Sequence, residues 1–266
     1  MRQVALFLVS VFGVTWTLLF FLRPVSAQGE LWTVLAWLLP TVWSPTIIAL
    51  ILMRSVEGAP KGAVRASLTY RRGSARWLIL AGIVPALATA SAVFIARAAG
   101  DGVPFIPSAA ILPMLILQLL TGAVGEELGW RGFLLPRLGK QFGDMAAAWV
   151  MAILWSLWHV AAFFFPGTPH NQLMPPIPTL LSIALFGVFL AFVFHRTGES
   201  VLATILAHLS LNITMGMGGV RLSSIAFWWT MVGIFGALAL VARRMKPTAA
   251  QQAAEPVGHV IEHGRG

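Results

Sequence analysis

Two adjacent carboxylates, Glu126 and Glu127, stand in the run Gly125-Glu126-Glu127-Leu128-Gly129-Trp130-Arg131. They do so in a chain of 266 residues of which 58% are hydrophobic and only 10% charged. A charged group at membrane depth costs at least about 2.5–3.5 kcal/mol on insertion scales, so a cluster of three points to function. On a helix, positions four apart share a face and neighbours point about 100° apart. Glu127 and Arg131 are therefore placed to pair, acid before base. Glu126 is rotated away from them and is free to act on something in the bundle interior. Gly125, Gly129 and Gly132 leave room for another helix or a ligand to approach closely.

Two further polar groups stand in apolar runs. His159 ends Trp155-Ser156-Leu157-Trp158-His159, with Trp155 one turn before it on the same face. His208 and Asn212 are again four apart and face one way. Each has a bland reading: a lone buried histidine, a Glu–Arg pair or a His/Asn pair can simply bind helices together. An unpaired glutamate, two histidines and an asparagine at matching depths are hard to maintain as helix glue alone. Together they can activate water. A glutamate takes a proton from it, a histidine assists, and His or Asn donors hold an oxyanion. Alternatively Glu126, His159 and His208 form a two-His, one-carboxylate set for a divalent metal such as zinc, with water in the open position. The spacing is not His-Glu-x-x-His. Gln118 is a candidate cavity residue on the same helix as the carboxylates. His170 and His195 fall at the ends of apolar runs and His259 and His263 in the tail, and none is assigned a role.

The elements that must position these residues are transmembrane helices. A mean hydropathy of +0.83 and repeated apolar runs near ~20 residues specify an all-α, polytopic membrane bundle. Eight spans fit: 4–22, 31–53, 77–96, 109–138, 145–165, 179–195, 201–218 and 224–242. The fourth is over-long for one crossing and reads as a single helix that tilts or projects past the bilayer. Pro40, Pro45 and Pro113 lie inside apolar runs and predict kinks. Residues 1–246 form one transmembrane domain and 247–266 a disordered tail. The first run is long enough to span and reads as an uncleaved helix, although Val25-Ser26-Ala27 resembles a cleavage site. The basic segment Arg54–Arg76 fits either a helix on the anionic leaflet or a loop that sets topology. No internal repeat is visible, which counts against the usual transporter architecture.

With the N-terminus in the cytoplasm, fifteen of the eighteen Lys and Arg fall in cytoplasmic connections or termini and only Arg23, Arg97 and Arg221 outside. Both termini are then cytoplasmic. This asymmetry accounts for the net charge of +9, so nucleic acid is not an expected partner. The absence of cysteine excludes disulfides and thiol chemistry. At about 1.5 Å per residue, Glu126, His159 and His208 lie ~18, ~21 and ~11 Å from the inner ends of their helices, so with tilt they overlap at mid-membrane to the cytoplasmic half and can meet.

These residues resemble the CAAX-protease and bacteriocin-processing intramembrane proteases, often labelled Abi proteins. That family's pattern is Glu-Glu-x-x-x-Arg, then Phe-x-x-x-His, then His-x-x-x-Asn or Asp, on separate helices. Here it matches Glu126-Glu127…Arg131, Trp155…His159 and His208…Asn212, within a core of 109–218, with Trp155 in place of the usual Phe. The resemblance implies that Glu126 and His159 activate water, that His208 and Asn212 hold the oxyanion, and that Glu127 and Arg131 are architectural. It implies an intramembrane endopeptidase of a bacterial cytoplasmic membrane, surrounded by lipid. Its substrate would be a peptide or protein whose C-terminus is hydrophobic or lipidated. The rival readings are a non-catalytic immunity or binding protein and a proton-coupled transporter.

Overall fold

The computed structural model describes residues 1–26, 31–55, 68, 75–164 and 169–244. The proposed tail and most of the basic segment after Arg54 lie outside the described residues. In hydrocarbon, every backbone N–H and C=O needs an internal partner, and uncharged apolar runs meet that demand by coiling. Helix α1 runs Arg2–Ser26 and α2 Leu31–Ser55. Helix α3, Ala75–Ala96, ends in a π-helical turn, Arg97–Asp101. Helix α4, Ile111–Gln118, leads through a π turn into α5, Val124–Glu127, and a second π stretch, Leu128–Leu134, leads into α6, Leu135–Phe142. Helix α7 is Asp144–His159 and the short α8 is Pro169–Leu173. Then follow α9, Pro176–Arg196; α10, Val201–Met217; and α11, Ile225–Arg244.

The chain is an all-α membrane bundle. Among the described residues, five helical stretches are long and apolar enough to cross a membrane: 2–21, 75–101, 144–163, 176–196 and 225–243. Three shorter apolar helices, at 39–55, 108–118 and 201–217, fall on the remaining expected spans. Phe94, Val9 and Leu240 stand well exposed on the outside, as lipid-facing side chains do.

The over-long fourth segment is not one helix. It breaks at Gly122, whose dihedrals (φ −151°, ψ −105°) are non-helical. A break in hydrocarbon frees backbone carbonyls, and α2 covers them. The indole N–H of Trp43 donates to the Leu120 carbonyl at 2.6 Å, and the Thr46 hydroxyl donates to that of Val124 at 3.4 Å. The break shortens the crossing and turns Val124–Glu127 into the bundle, where Glu126 and Glu127 are buried. Gly129 makes this packing possible, since a Cβ there would stand 2.5 Å from the carbonyl of Pro45. Pro45 and Pro40 are both accommodated within α2, and Pro113 sits in the first turn of α4, where no helical N–H is lost.

Candidate active site

Glu126 sits on α5, and its Oε2 accepts a hydrogen bond from the indole N–H of Trp155 on α7 at 2.7 Å. The Trp155 carbonyl accepts from Nδ1 of His159, one turn later, at 2.8 Å. A carbonyl only accepts, so that bond fixes the proton on Nδ1 and leaves Nε2 with its lone pair free. The helix tightens to a 3-10 turn at Val160–Phe163, so His159 occupies the last α-helical turn. From the α1 side, Trp158 donates its indole N–H to the Thr15 hydroxyl at 2.9 Å, and Thr15 pairs with Ser44 of α2 at 2.6 Å. These bonds hold α7, α1 and α2 in one register behind the histidine.

Glu127 is fully buried, as is Arg131. Its Oε1 accepts from Arg131 Nη1 at 2.9 Å, the pair expected from the four-residue spacing. The same oxygen lies 2.9 Å from His208 Nδ1, a bond that sequence spacing does not reveal. Glu127 is therefore more than the counter-ion of Arg131, because it also fixes the ring of His208 and turns that ring's Nε2 away from itself. The Arg131 guanidinium stacks over the Trp155 ring at 4.2 Å. Trp155 thus touches Glu126, Arg131, His159 and, edge to face at 5.5 Å, His208.

Glu126, His159, His208 and Asn212 line one cavity of about 360 Å³. Glu127 and Arg131 stand behind its wall. Gly122 gives Asn212 its place, since a Cβ there would come within 3.1 Å of the Asn212 amide nitrogen. Gln118 lines the same space, in keeping with its candidacy. The remaining lining is mostly apolar, including Leu19, Ile183, Phe186, Met215 and Met231.

His170 also lines the cavity, and its ring centroid is 5.7 Å from that of His159. Its position beyond the apolar run that carries His159 gives it no role in the sequence. A folded-back α8 brings it over the site. Burial pushes its imidazole down to about 4, so it is neutral near pH 7. Among the described residues, no three His, Asp or Glu side chains gather as a metal-holding group.

A buried carboxylate and an imidazole lone pair on the same cavity, with an amide donor beside them, can hold and deprotonate a water and stabilise an oxyanion. The comparisons with known proteins fall on these same residues. The family model for type II CAAX prenyl endopeptidase Rce1-like proteins matches residues 107–214. A curated relative, CAAX prenyl protease 2 of Methanococcus maripaludis, is 28% identical over 107 residues. That alignment covers 38% of this chain and 39% of the relative. The matched stretch holds Glu126, Glu127, Arg131, His159, His208 and Asn212.

Proposed function

We propose that this membrane protein, whose residues 107–214 belong to the Rce1-like family of type II CAAX prenyl endopeptidases, is an intramembrane endopeptidase that uses an activated water. The family is one of proteases. The observation that carries the finer reading is the convergence of Glu126, His159, His208 and Asn212 on one largely apolar cavity. In the proposed reaction a water sits between the Glu126 carboxylate and Nε2 of His159. Glu126 removes one proton as the water oxygen attacks the scissile carbonyl carbon. The carbonyl oxygen becomes an oxyanion, held by the Asn212 amide N–H and by His208. Nδ1 of His208 faces Glu127, which holds the ring so that its other edge is turned toward the cavity. The C–N bond then breaks, and the proton held by Glu126 passes to the leaving amine. No covalent enzyme intermediate forms.

The proposed substrate is a peptide or protein with a hydrophobic or lipidated C-terminus, reached in the membrane. The reaction is written here without a metal. If a metal does bind, Glu126, His159 and His208 are the residues to hold it, and it would supply Lewis-acid activation of the same water.

The test does not require the substrate to be identified first. Wild type and Glu126→Gln are expressed at matched levels, and protein termini are compared across the membrane and secreted proteomes. Loss of a general base costs on the order of 10²–10⁴-fold, so termini present with wild type should vanish with Glu126→Gln. Identical termini, with the wild-type phenotype kept by the variant, would replace the peptidase by a binding protein.

A further inference from the structure

Two side-chain amides face the cavity, and the proposed reaction uses one of them. Asn212 stands on α10, and Gln118 is the last residue of α4. The two helices run antiparallel here and meet in register. Met114 lies against Gly216, where a Cβ would come within 2.9 Å of the methionine sulfur. Positions four apart share a helix face, so one turn onward along α4 and one turn back along α10 bring Gln118 to Asn212. Both reach Gly122. A Cβ there would lie 3.1 Å from the Asn212 amide nitrogen and 3.9 Å from the Gln118 amide oxygen. Both amides line the cavity, beside Leu211, Met215 and Gly122 itself.

Neither amide has a side-chain hydrogen-bond partner among the described residues. A carboxamide offers two N–H donors and one carbonyl acceptor. Left unpaired among apolar side chains it costs free energy that a leucine would not. The oxyanion accounts for Asn212 and leaves Gln118 unexplained. The natural partner of an amide is another amide, since each supplies what the other lacks, and a peptide substrate carries one at every residue. An extended chain turns carbonyls to the same side at every second residue, about 6.8 Å apart. Two amides that both stand within 3.9 Å of one point are close enough to meet two such groups.

We propose that Gln118 is a substrate-binding residue of this site, whose carboxamide hydrogen-bonds the main-chain peptide group two residues from the scissile carbonyl. The inference deepens the peptidase reading and rests on it. Asn212 acts on the reacting carbonyl. Gln118 holds the chain in register, so that this carbonyl and not its neighbour reaches Glu126 and His159. Binding of this kind needs an extended substrate. In an α-helix each peptide group is already bonded four residues along, so a helical segment offers Gln118 nothing. The segment to be cut must lie unwound along the wall formed by α4 and α10.

The test uses a synthetic peptide carrying the cleaved sequence found by the comparison of termini, and reads KM and kcat separately. Gln118→Met keeps the length of the side chain and removes its amide. A hydrogen bond made equally in ground and transition states contributes binding alone, so KM should rise about 3- to 10-fold with kcat within about 2-fold of wild type. The second change is made in the peptide. An ester replaces the peptide group two residues from the scissile bond, on one side and then on the other, which removes its N–H and weakens its carbonyl as an acceptor. At one of the two positions the ester should raise KM for wild type and add nothing for Gln118→Met. An unchanged KM in Gln118→Met, or ester and Met penalties that multiply at both positions, overturns the inference and leaves the peptidase standing. A fall in kcat at constant KM overturns it too, because Gln118 then acts in the reaction and not in binding. Should the variant fail to accumulate, the esters on wild type decide alone: no rise in KM at either position overturns the inference. Absence of any Glu126-dependent cleavage is the separate result that overturns the peptidase reading, and this inference falls with it.

Discussion

At the scale of single residues, Trp155 ties the site together. Its indole N–H holds one oxygen of Glu126, its ring carries the Arg131 guanidinium, and its carbonyl orients His159. A phenylalanine there keeps an aromatic wall but has no N–H. A hydrogen bond to a charged group contributes about 1.5–3 kcal/mol, so losing it frees Glu126 to rotate away from the water. Trp155→Phe is therefore expected to lower kcat about 10- to 100-fold, with KM changed little and normal accumulation in the membrane. The check is a cleavage assay on the substrate found by the comparison of termini. An unchanged kcat would show that Glu126 is positioned by something else. The Glu127–Arg131 pair behaves differently. Both are sealed from water, and removing either strands a buried charge, so changes there report on folding before they report on catalysis.

At the scale of elements, the broken fourth segment sets the position of the carboxylates. Spacing within one helix is legible in the sequence: four residues apart predicts the Glu127–Arg131 pair, and the structure has it at 2.9 Å. The eight apolar runs are legible too, because hydrocarbon leaves a chain few options. What the sequence hides lies between helices. The Trp155–Glu126 bond and the His208–Glu127 bond depend on how helices rotate against one another, which no local period encodes. The break at Gly122 reads as continuous helix, since a glycine within an apolar run carries no stop signal of its own, and the carbonyls of Leu120 and Val124 on either side of it are met by Trp43 and Thr46 from another helix. His170 has no local signal either, because only α8 folding back brings it to His159. The close approach of Gly129 to Pro45 makes this packing testable. A Cβ 2.5 Å from a backbone carbonyl forces two helices apart, and overpacking of this kind costs typically about 1–3 kcal/mol. Gly129→Ala should lower the melting temperature in detergent and reduce yield. Gly13→Ala, where a Cβ meets nothing within 4 Å, is the matched control and should melt as wild type does. Equal melting of the two variants would mean that α2 does not clamp the carboxylate-bearing segment.

At the scale of the whole molecule, the short helix α8 lies at the site cavity, whose lining includes its His170. His170 makes the docking of α8 sensitive to protons. Burial holds its imidazole at about 4, against an ordinary value near 6.5, and the neighbouring ring of His159 offers no negative charge to support a proton. With α8 released, His170 titrates normally. Between about pH 6.5 and pH 4 the released state therefore binds protons that the docked state refuses, and linkage makes docking weaker as pH falls through that window. Above pH 6.5 both states are neutral and docking is at full strength; below pH 4 both are charged and the loss is complete. Backbone amides of 169–173 should accordingly exchange hydrogen faster at pH 5 than at pH 7, after correction for the intrinsic pH dependence of exchange. His170→Asn, polar but without a titrating group, should show the same corrected protection at both values. If wild type and His170→Asn respond alike, the docking is indifferent to His170. If only wild type opens, the acidity at the cavity sets how often the site is exposed.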